Sequence, residues 1–182
     1  MENSTKVITG KVRFCYVNVF EPTAMNENDT PKYNICILIP KDDAKTLEKI
    51  NKAIEAAKQA GKAKLADKNG KIPSNLKLPL RDGDDERGDD PAFEGMYFIN
   101  ANSLRKPSIV DKDLNPIMEK EEFYSGCYGR ASINFYAFNV SSKGIAAGLN
   151  NLQKLEDGEM LAGGSTAEED FGGENEWDDE LM

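Results

Sequence analysis

The segment 128–139, YGRASINFYAFN, alternates between two kinds of side chain over twelve residues. A period of two places successive side chains on opposite faces of a strand, so the pattern predicts a strand that covers a core with one face only. The small and aliphatic parity is the predicted core face and consists of Ala131, Ile133, Phe135 and Ala137. The other parity consists of Tyr128, Arg130, Ser132, Asn134, Tyr136 and Phe138.

Two earlier segments, 6–20 and 33–39, have the same strand character, since both are rich in β-branched and aromatic residues. In the first, the alternation predicts that Lys11 and Arg13 face away from the core. One face of the first segment carries Ile8, Val12, Phe14 and Tyr16, and one face of the second carries Tyr33, Ile35, Ile37 and Ile39. Pro40 ends the second strand because proline cannot donate to a sheet.

A helix is predicted directly after the second strand. Asp42 or Asp43 caps it, Gly61 ends it, and its apolar stripe consists of Leu47, Ile50, Ile54 and Ala57. Residues 62–92 are polar and broken by glycine and proline, so we interpret them as a long surface excursion, with strand character returning at 95–101. About five short strands and one helix predict a mainly β fold, either a small barrel or an α+β architecture.

Charge divides the chain into two parts. The whole sequence has 23 basic and 32 acidic residues, a net charge of -9, but residues 156–182 contain 11 of the acids and no lysine or arginine. Residues 1–155 therefore hold 23 basic and 21 acidic residues, a net charge of +2. The composition predicts a folded, mildly basic domain over 1–155 and a disordered acidic tail over 156–182.

The tail also carries apolar side chains that have no core of their own. Phe171, Trp177 and Leu181 lie among its acids, and Trp177 is the single tryptophan of the chain. Acidic segments with a few apolar anchors suit docking into basic grooves. We therefore expect the tail to bind partner proteins and to compete for the protein's own ligand site, with a purely solubilising tail as the alternative.

The sequence offers little for catalysis. It has no histidine, which removes the commonest general base and the common zinc patterns, and no nucleophile or phosphate-loop motif. The acidic run 82–90 fails as a calcium loop, since Arg87 stands at the required glycine position. We expect no enzyme activity, no cofactor and no metal. Three unpaired cysteines and no signal or membrane segment predict a cytoplasmic protein with reduced thiols.

The outer parity of 128–138 is the best candidate site. Aromatic rings can stack unpaired bases while cations hold phosphates, the chemistry of single-stranded nucleic acid binding. The predicted base-stacking residues are Tyr128, Tyr136 and Phe138, and the predicted phosphate ligands are Lys11, Arg13, Arg105, Lys106 and Arg130. The alternative is that this strand is buried on both faces and its aromatics belong to the core. In that case the base-stacking site must be sought at Phe14, Tyr16 or Tyr97.

The segment FYSGCYGRAS (123–132), continuing through NFYAFN to KGIAAGLNNLQKLEDGE, resembles a family of bacteriophage single-stranded-DNA-binding proteins with an OB-type fold. VITGKVRFCYVNVFEP, ILIPKDD and RKPSIVD are similar to that family as well, so the likeness covers about residues 6–160. The resemblance implies a five-stranded barrel and single-stranded DNA as partner. It also implies little sequence preference and a role in phage replication or recombination.

Together the residues and the resemblance predict a protein that coats single-stranded DNA. The main alternative is an acidic interaction protein or DNA mimic that engages a replication or repair enzyme. Strand annealing, RNA binding and homo-oligomer formation are left open by the sequence. No membrane partner is expected, and replication or recombination proteins are the expected partners of the tail.

Overall fold

The computed structural model describes residues 4–24, 27–140 and 142–161. Eight strands form one sheet: β1 (Lys6–Ile8), β2 (Val12–Thr23), β3 (Lys32–Pro40), β4 (Arg81–Asp82), β5 (Met96–Ser103), β6 (Ser108–Val110), β7 (Tyr128–Val140) and β8 (Ser142–Glu156). The helices are α1 (Ala44–Ala60), α2 (Lys62–Leu65), α3 (Gly83–Glu86) and a 3₁₀ turn at Pro91–Phe93. The mainly β prediction is confirmed.

Five of the strands pair in a closed ring in the order β2, β3, β5, β8, β7 and back to β2. All these pairings are antiparallel except that of β5 with β8, which is parallel. Three short strands extend the ring, with β1 beside β7, β4 beside β5 and β6 beside β8. The sheet is thus ring-like, with an inner face enclosed by five strands.

The first predicted strand, 6–20, is broken into β1 and β2 at Thr9. Thr9 bonds to Ala131 twice, through its backbone N–H at 3.0 Å and through its hydroxyl, which accepts from the Ala131 N–H at 3.0 Å. This break shifts the parity, so that Val7 is buried and Ile8 is 44% exposed. The prediction that Ile8 shares a face with the buried Val12 and Phe14 is therefore wrong.

A second irregularity in β2 moves Tyr16 out of the core. The pairing with β3 shifts register between Cys15 and Asn18, and Tyr16 has a φ of 48°. The side chain of Tyr16 is 40% exposed, whereas Phe14, two residues earlier, is fully buried. The prediction that Tyr16 shares a face with Phe14 is wrong, because the bulge reverses the direction of the side chain.

Strand β3 is buried on both faces. Ile35, Ile37 and Ile39 point into the ring, as the alternation predicts. Cys36 and Leu38, on the opposite face, belong to a second apolar cluster with Cys15, Phe93 and Phe98. This second cluster lies outside the ring, on the outer face shared by β2, β3 and β5.

The long helix confirms the predicted stripe and caps. Asp43 accepts a hydrogen bond of 3.1 Å from the Thr46 N–H at the start of α1, and the Gly61 N–H bonds to the Ala57 carbonyl at its end. Ile50, Ile54 and Ala57 are buried, and Leu47 packs against the same core. α1 and α2 both contact β7, so the helix covers the inner residues of that strand.

The excursion over 62–92 is not confined to the surface. Leu65 is completely buried in the main core, and Ile72, Leu76 and Leu80 pack against it. The excursion also supplies β4, and residues just beyond it reach the second cluster through Phe93. Burial of these scattered apolar residues corrects the interpretation of the whole segment as a surface excursion.

The first residues of the predicted tail pack on the body. β8 runs to Glu156, and beyond it the Leu161 N–H bonds to the Ser125 carbonyl at 2.8 Å while the Leu161 side chain contacts the second cluster. Residues 156–161 are therefore part of the folded body. Phe171, Trp177 and Leu181 lie outside the described residues.

The three cysteines, Cys15, Cys36 and Cys127, are all buried and free of disulfides, as predicted. Among the described residues, no helix combines the length and apolar character that crossing a bilayer requires.

Candidate nucleic-acid interface

A groove of about 810 Å³ lies on the outer face of β2, β3 and β5. At one side it borders the second apolar cluster, since Cys36 belongs to both. At the other side it is lined by the turn after β2. Among the described residues, its lining combines one exposed aromatic ring, the cations Lys32 and Arg87, the carboxylate of Asp29 and a set of side-chain amides. The residues that we use to define the groove are Tyr16, Asn18, Lys32, Asn34, Cys36, Arg87, Asn100 and Asn102.

Tyr16 and Arg87 form one wall of the groove. The Arg87 guanidinium donates a hydrogen bond of 2.6 Å to the Tyr16 hydroxyl and lies 5.4 Å from the centre of its ring. It also lies 4.4 Å from the centre of the Phe93 ring and forms an ion pair of 3.6 Å with Asp90. A guanidinium against an aromatic face keeps its charge while presenting a flat surface. This wall can therefore stack a base and attract a phosphate.

The acidic excursion that carries Arg87 is fastened by Lys41. The Lys41 ammonium is 2.7 Å from an Asp82 oxygen and 2.8 Å from an Asp84 oxygen. This hydrogen bonding by Lys41 holds the pKa of both carboxyls below the ordinary value of 3.8. In return the two carboxylates raise the pKa of Lys41. Phe93 completes the attachment through an edge-on contact with Phe98 at 5.1 Å.

The floor of the groove is neutral. Asn18, Asn34 and Asn102 are register partners across the three strands, and Cys36 pairs with Asn100 in the next row. A hydrogen bond with Cys15, together with burial, raises the pKa of the Cys36 thiol, so this side chain is uncharged. No carboxylate comes from the three strands at these rows.

The predicted phosphate ligands Arg105 and Lys106 lie in the loop that follows β5, one of the groove strands. The Lys106 ammonium is 5.5 Å from the centre of the Phe20 ring, and Phe20 lines a cleft that shares Asn18 and Thr23 with the groove. Arg105 is exposed in the same loop. The loop thus presents two cations, one of them beside the half-buried ring of Phe20 on β2.

Lys11, Arg13 and Tyr128 come together, as a site would require. Lys11 and Arg13 each lie 5.2 Å from the centre of the Tyr128 ring. However, Lys11 forms an ion pair with Glu156, and the Arg13 guanidinium donates to the carbonyls of Gly126 at 3.0 Å and Glu159 at 2.7 Å. In this arrangement the three side chains hold residues 156–159 against the body.

Arg130, Tyr136 and Phe138 lie on the outer face of β7, which the alternation predicts. Arg130 is exposed and donates to the Thr9 carbonyl at 3.2 Å, and Tyr136 is 42% exposed. Tyr136 and Phe138 are register partners of Ala146 and Gly144 on β8, and Phe138 is half-buried with its ring close to Gly144. We call Arg130, Tyr136 and Phe138 the β7 face.

The β7 face and the groove lie on different strands of the ring. The groove uses β2, β3 and β5, and the β7 face lies beside β8 and β1. The structure therefore does not bring all of the predicted residues into one site. It divides them among the loop beside the groove, the cluster that holds 156–159 and the β7 face.

The sequence alone names Tyr16 only as an alternative base-stacking residue and does not name Arg87. Parity places Tyr16 on the same face as Phe14, and no pattern in YVNVF marks a bulge at that point. Arg87 is enclosed in an acidic run, where a single arginine carries no visible signal. Only the attachment of the excursion through Phe93 and Lys41 brings Arg87 to the groove.

Another cavity, of about 890 Å³, follows the exposed side of α1. Its lining residues come from α1 and Lys41 alone and mix both charges, including Glu48, Lys52 and Glu55. It contains no aromatic ring. The groove is therefore the better candidate for a nucleic acid, although this cavity is slightly larger.

Comparison with known proteins places the chain among phage proteins. Protein p50 of Acyrthosiphon pisum secondary endosymbiont phage 1 is 29% identical over 166 residues, which cover 89% of each chain. The gp2.5 single-stranded DNA binding protein of bacteriophage T7 shares the fold, with a TM-score of 0.63 at 12% identity over 88% of this chain and 97% of that one.

Closer likeness is found to the single-stranded DNA-binding protein from bacteriophage Enc34. Its structure in complex with ssDNA matches with a TM-score of 0.73 and 26% identity, covering 89% of this chain and 95% of that chain. Its C-terminal truncation matches with a TM-score of 0.72 and 26% identity over 88% and 94%. The family model of the Enterobacter phage Enc34 ssDNA-binding protein matches residues 5–182, and the chain belongs to that family.

Proposed function

We propose that this protein binds and coats single-stranded DNA with little sequence preference, during phage DNA replication or recombination in the host cytoplasm, and that it does so without catalysis. The observation that carries the proposal is the groove, where an exposed ring and an arginine stand above a neutral amide floor. Membership of the Enc34 family supports the same ligand.

We interpret the ring of β2, β3, β5, β8 and β7 as an OB-type barrel. OB folds bind oligonucleotides across their second and third strands and the adjoining loops. In this chain those strands correspond to β3 and β5, which form the floor of the groove together with β2. The groove thus lies on the strands that OB folds use to bind oligonucleotides.

In this proposal Tyr16 stacks a base, and base stacking on an aromatic ring contributes about 1–3 kcal/mol. Arg87, Lys32 and the loop residues Arg105 and Lys106 hold phosphates along the strand. The β7 face remains a second predicted contact surface for the same ligand. It has the required residue types but lacks the concave shape and the amide floor of the groove.

We further propose that the acidic tail regulates binding at this site and docks partner proteins. Leu161 contacts the second apolar cluster, which borders the groove, so the chain leaves the described body beside the binding surface. The following residues 162–182 contain eight acids and no lysine or arginine. Such a segment can compete with phosphates for the same cations.

A titration of fluorescein-labelled oligo-dT, followed by fluorescence anisotropy at two salt concentrations, tests the function. We expect binding that weakens steeply with salt, because each phosphate that a cation neutralises releases counterion. A protein of similar net charge without a basic groove serves as the control. Affinity no higher than that of the control protein would refute single-stranded DNA binding.

A further inference from the structure

Asparagine side chains form a continuous row across the floor of the groove. Asn18 on β2 pairs in register with Asn34 on β3, and Asn34 pairs with Asn102 on β5. Asn100 stands in the neighbouring row, two residues along β5. Four amides from three adjacent strands therefore face the same groove.

The row is braced at one end and open at the other. The Asn18 side-chain amide donates to the side-chain oxygen Oδ1 of Asn34 at 3.0 Å, and the Asn34 amide donates to the Thr23 hydroxyl at 2.9 Å. These bonds fix the two amides. Within the part of the chain that the structure describes, the side chains of Asn100 and Asn102 make no hydrogen bond, and Asn100 is exposed.

A primary amide presents a donor and an acceptor side by side. Every base has neighbouring donor and acceptor atoms on its Watson–Crick edge, and in a single strand that edge is accessible to a protein. In a duplex the same edge is occupied by the partner base. An amide can therefore bind any unpaired base without preferring one base over another.

We infer that Asn100 and Asn102, oriented beside the fixed pair Asn18 and Asn34, contact the Watson–Crick edges of unpaired bases and make the groove selective for single strands over duplexes. This inference rests on the proposed function and deepens it. Arginine and lysine contacts to phosphate are available in both kinds of DNA and give no such selectivity. The amide row supplies it without requiring a particular sequence.

The test compares three labelled ligands of equal length: oligo-dT, a duplex and an abasic strand. The proteins are the full chain, the double variant Asn100→Ala/Asn102→Ala, the single variant Asn100→Ser and the control Asn51→Ala, which removes an exposed amide from α1. Affinities are measured by anisotropy over a salt series. Thermal melting of each variant verifies the fold.

We expect the double variant to bind oligo-dT about tenfold more weakly, since a hydrogen bond contributes about 0.5–1.5 kcal/mol. Its affinity for the duplex and the abasic strand should not change, and neither should the slope of affinity against salt for oligo-dT. Asn100→Ser retains a donor and an acceptor and should lose less than the alanine variant, while Asn51→Ala should match the full chain.

Two results would overturn the inference while leaving the proposed function intact. One is a double variant that binds oligo-dT as tightly as the full chain. The other is a double variant that loses equal affinity for all three ligands, which indicates a general effect on the surface. If the full chain itself fails to bind oligo-dT, the proposed function is refuted together with the inference.

Discussion

Arg87 donates a hydrogen bond of 2.6 Å to the hydroxyl of Tyr16, although 71 residues separate the two in the sequence. The bond connects the acidic excursion to the bulge of β2. It places a cation and an exposed ring on the same wall of the groove. In the proposed function, this wall stacks one base and holds one phosphate of the single strand.

The first prediction concerns the charge of Arg87. Replacing it in Arg87→Ala should weaken oligo-dT binding and lower the slope of log affinity against log salt by about 0.7, the value for one cation on a single strand. Arg87→Lys should restore the slope but not the full affinity, because lysine does not form the flat contact with Tyr16. An unchanged slope in Arg87→Ala would place Arg87 outside the phosphate contacts.

The second prediction concerns the attachment of the excursion. Phe93 is 1% exposed and packs edge-on against Phe98. Phe93→Ala should lower the free energy of unfolding by about 3–5 kcal/mol, the usual loss for a buried phenylalanine. Urea denaturation measures it, with Leu78→Ala, at a position that is 45% exposed, as the control. A loss below about 1 kcal/mol would show that Phe93 does not anchor the segment.

The third prediction concerns pH and Lys41. Since Lys41 holds the pKa of Asp82 and Asp84 below 3.8, the carboxylates contribute stability above that value and lose it as the pH falls through their lowered pKa. The excursion should therefore stay attached from neutral pH down to the ordinary aspartate range and detach only below it. Hydrogen exchange of residues 82–95 follows this change.

Lys41→Met is the matched variant for the pH series. Without the ammonium, both carboxyls should titrate nearer to the ordinary value of 3.8, so the excursion should be less firmly attached at neutral pH and its attachment should change less as the pH falls. Identical pH profiles for the two proteins would contradict the assigned role of Lys41.

The architecture could be predicted where alternation is regular, as in β7. There Ala131, Ile133 and Phe135 are buried as expected, and Tyr136 is exposed. The position of Tyr16 could not be predicted, because a bulge inverts parity without changing the composition of the strand. Likewise Leu65 lies in a polar segment, where a single leucine gives no period to recognise.

The candidate site was predictable in its residue types but not in its location. Aromatic rings and cations on strands were expected, and the groove contains both. Its floor depends on register between β2, β3 and β5, which places Asn18, Asn34 and Asn102 in one row. Register describes how two paired strands align, so it could not be predicted from the residues of any one strand.

The fourth prediction concerns the tail. A chain ending at Leu161 keeps every contact of residues 156–161 and removes eight acids. It should bind oligo-dT more tightly than the full chain, with the largest difference at low salt, where charge repulsion and competition are least screened. The control is the full-length chain with the eight acids of residues 162–182 replaced by their amides. It should bind oligo-dT as tightly as the truncated chain does. Equal affinities for the full and the truncated chain would exclude regulation by the tail.

The central claim is that the groove, and Tyr16 within it, holds the single strand. Tyr16 and Tyr136 are matched probes, because they are 40% and 42% exposed and lie in the groove and on the β7 face, respectively. The most direct measurement is the oligo-dT affinity of Tyr16→Ala beside that of Tyr136→Ala at one salt concentration. We predict a loss of about fivefold to 150-fold for Tyr16→Ala, the effect of one stacked base, and a smaller loss for Tyr136→Ala. An unchanged affinity in Tyr16→Ala with a large loss in Tyr136→Ala would contradict the account and place the strand on the β7 face.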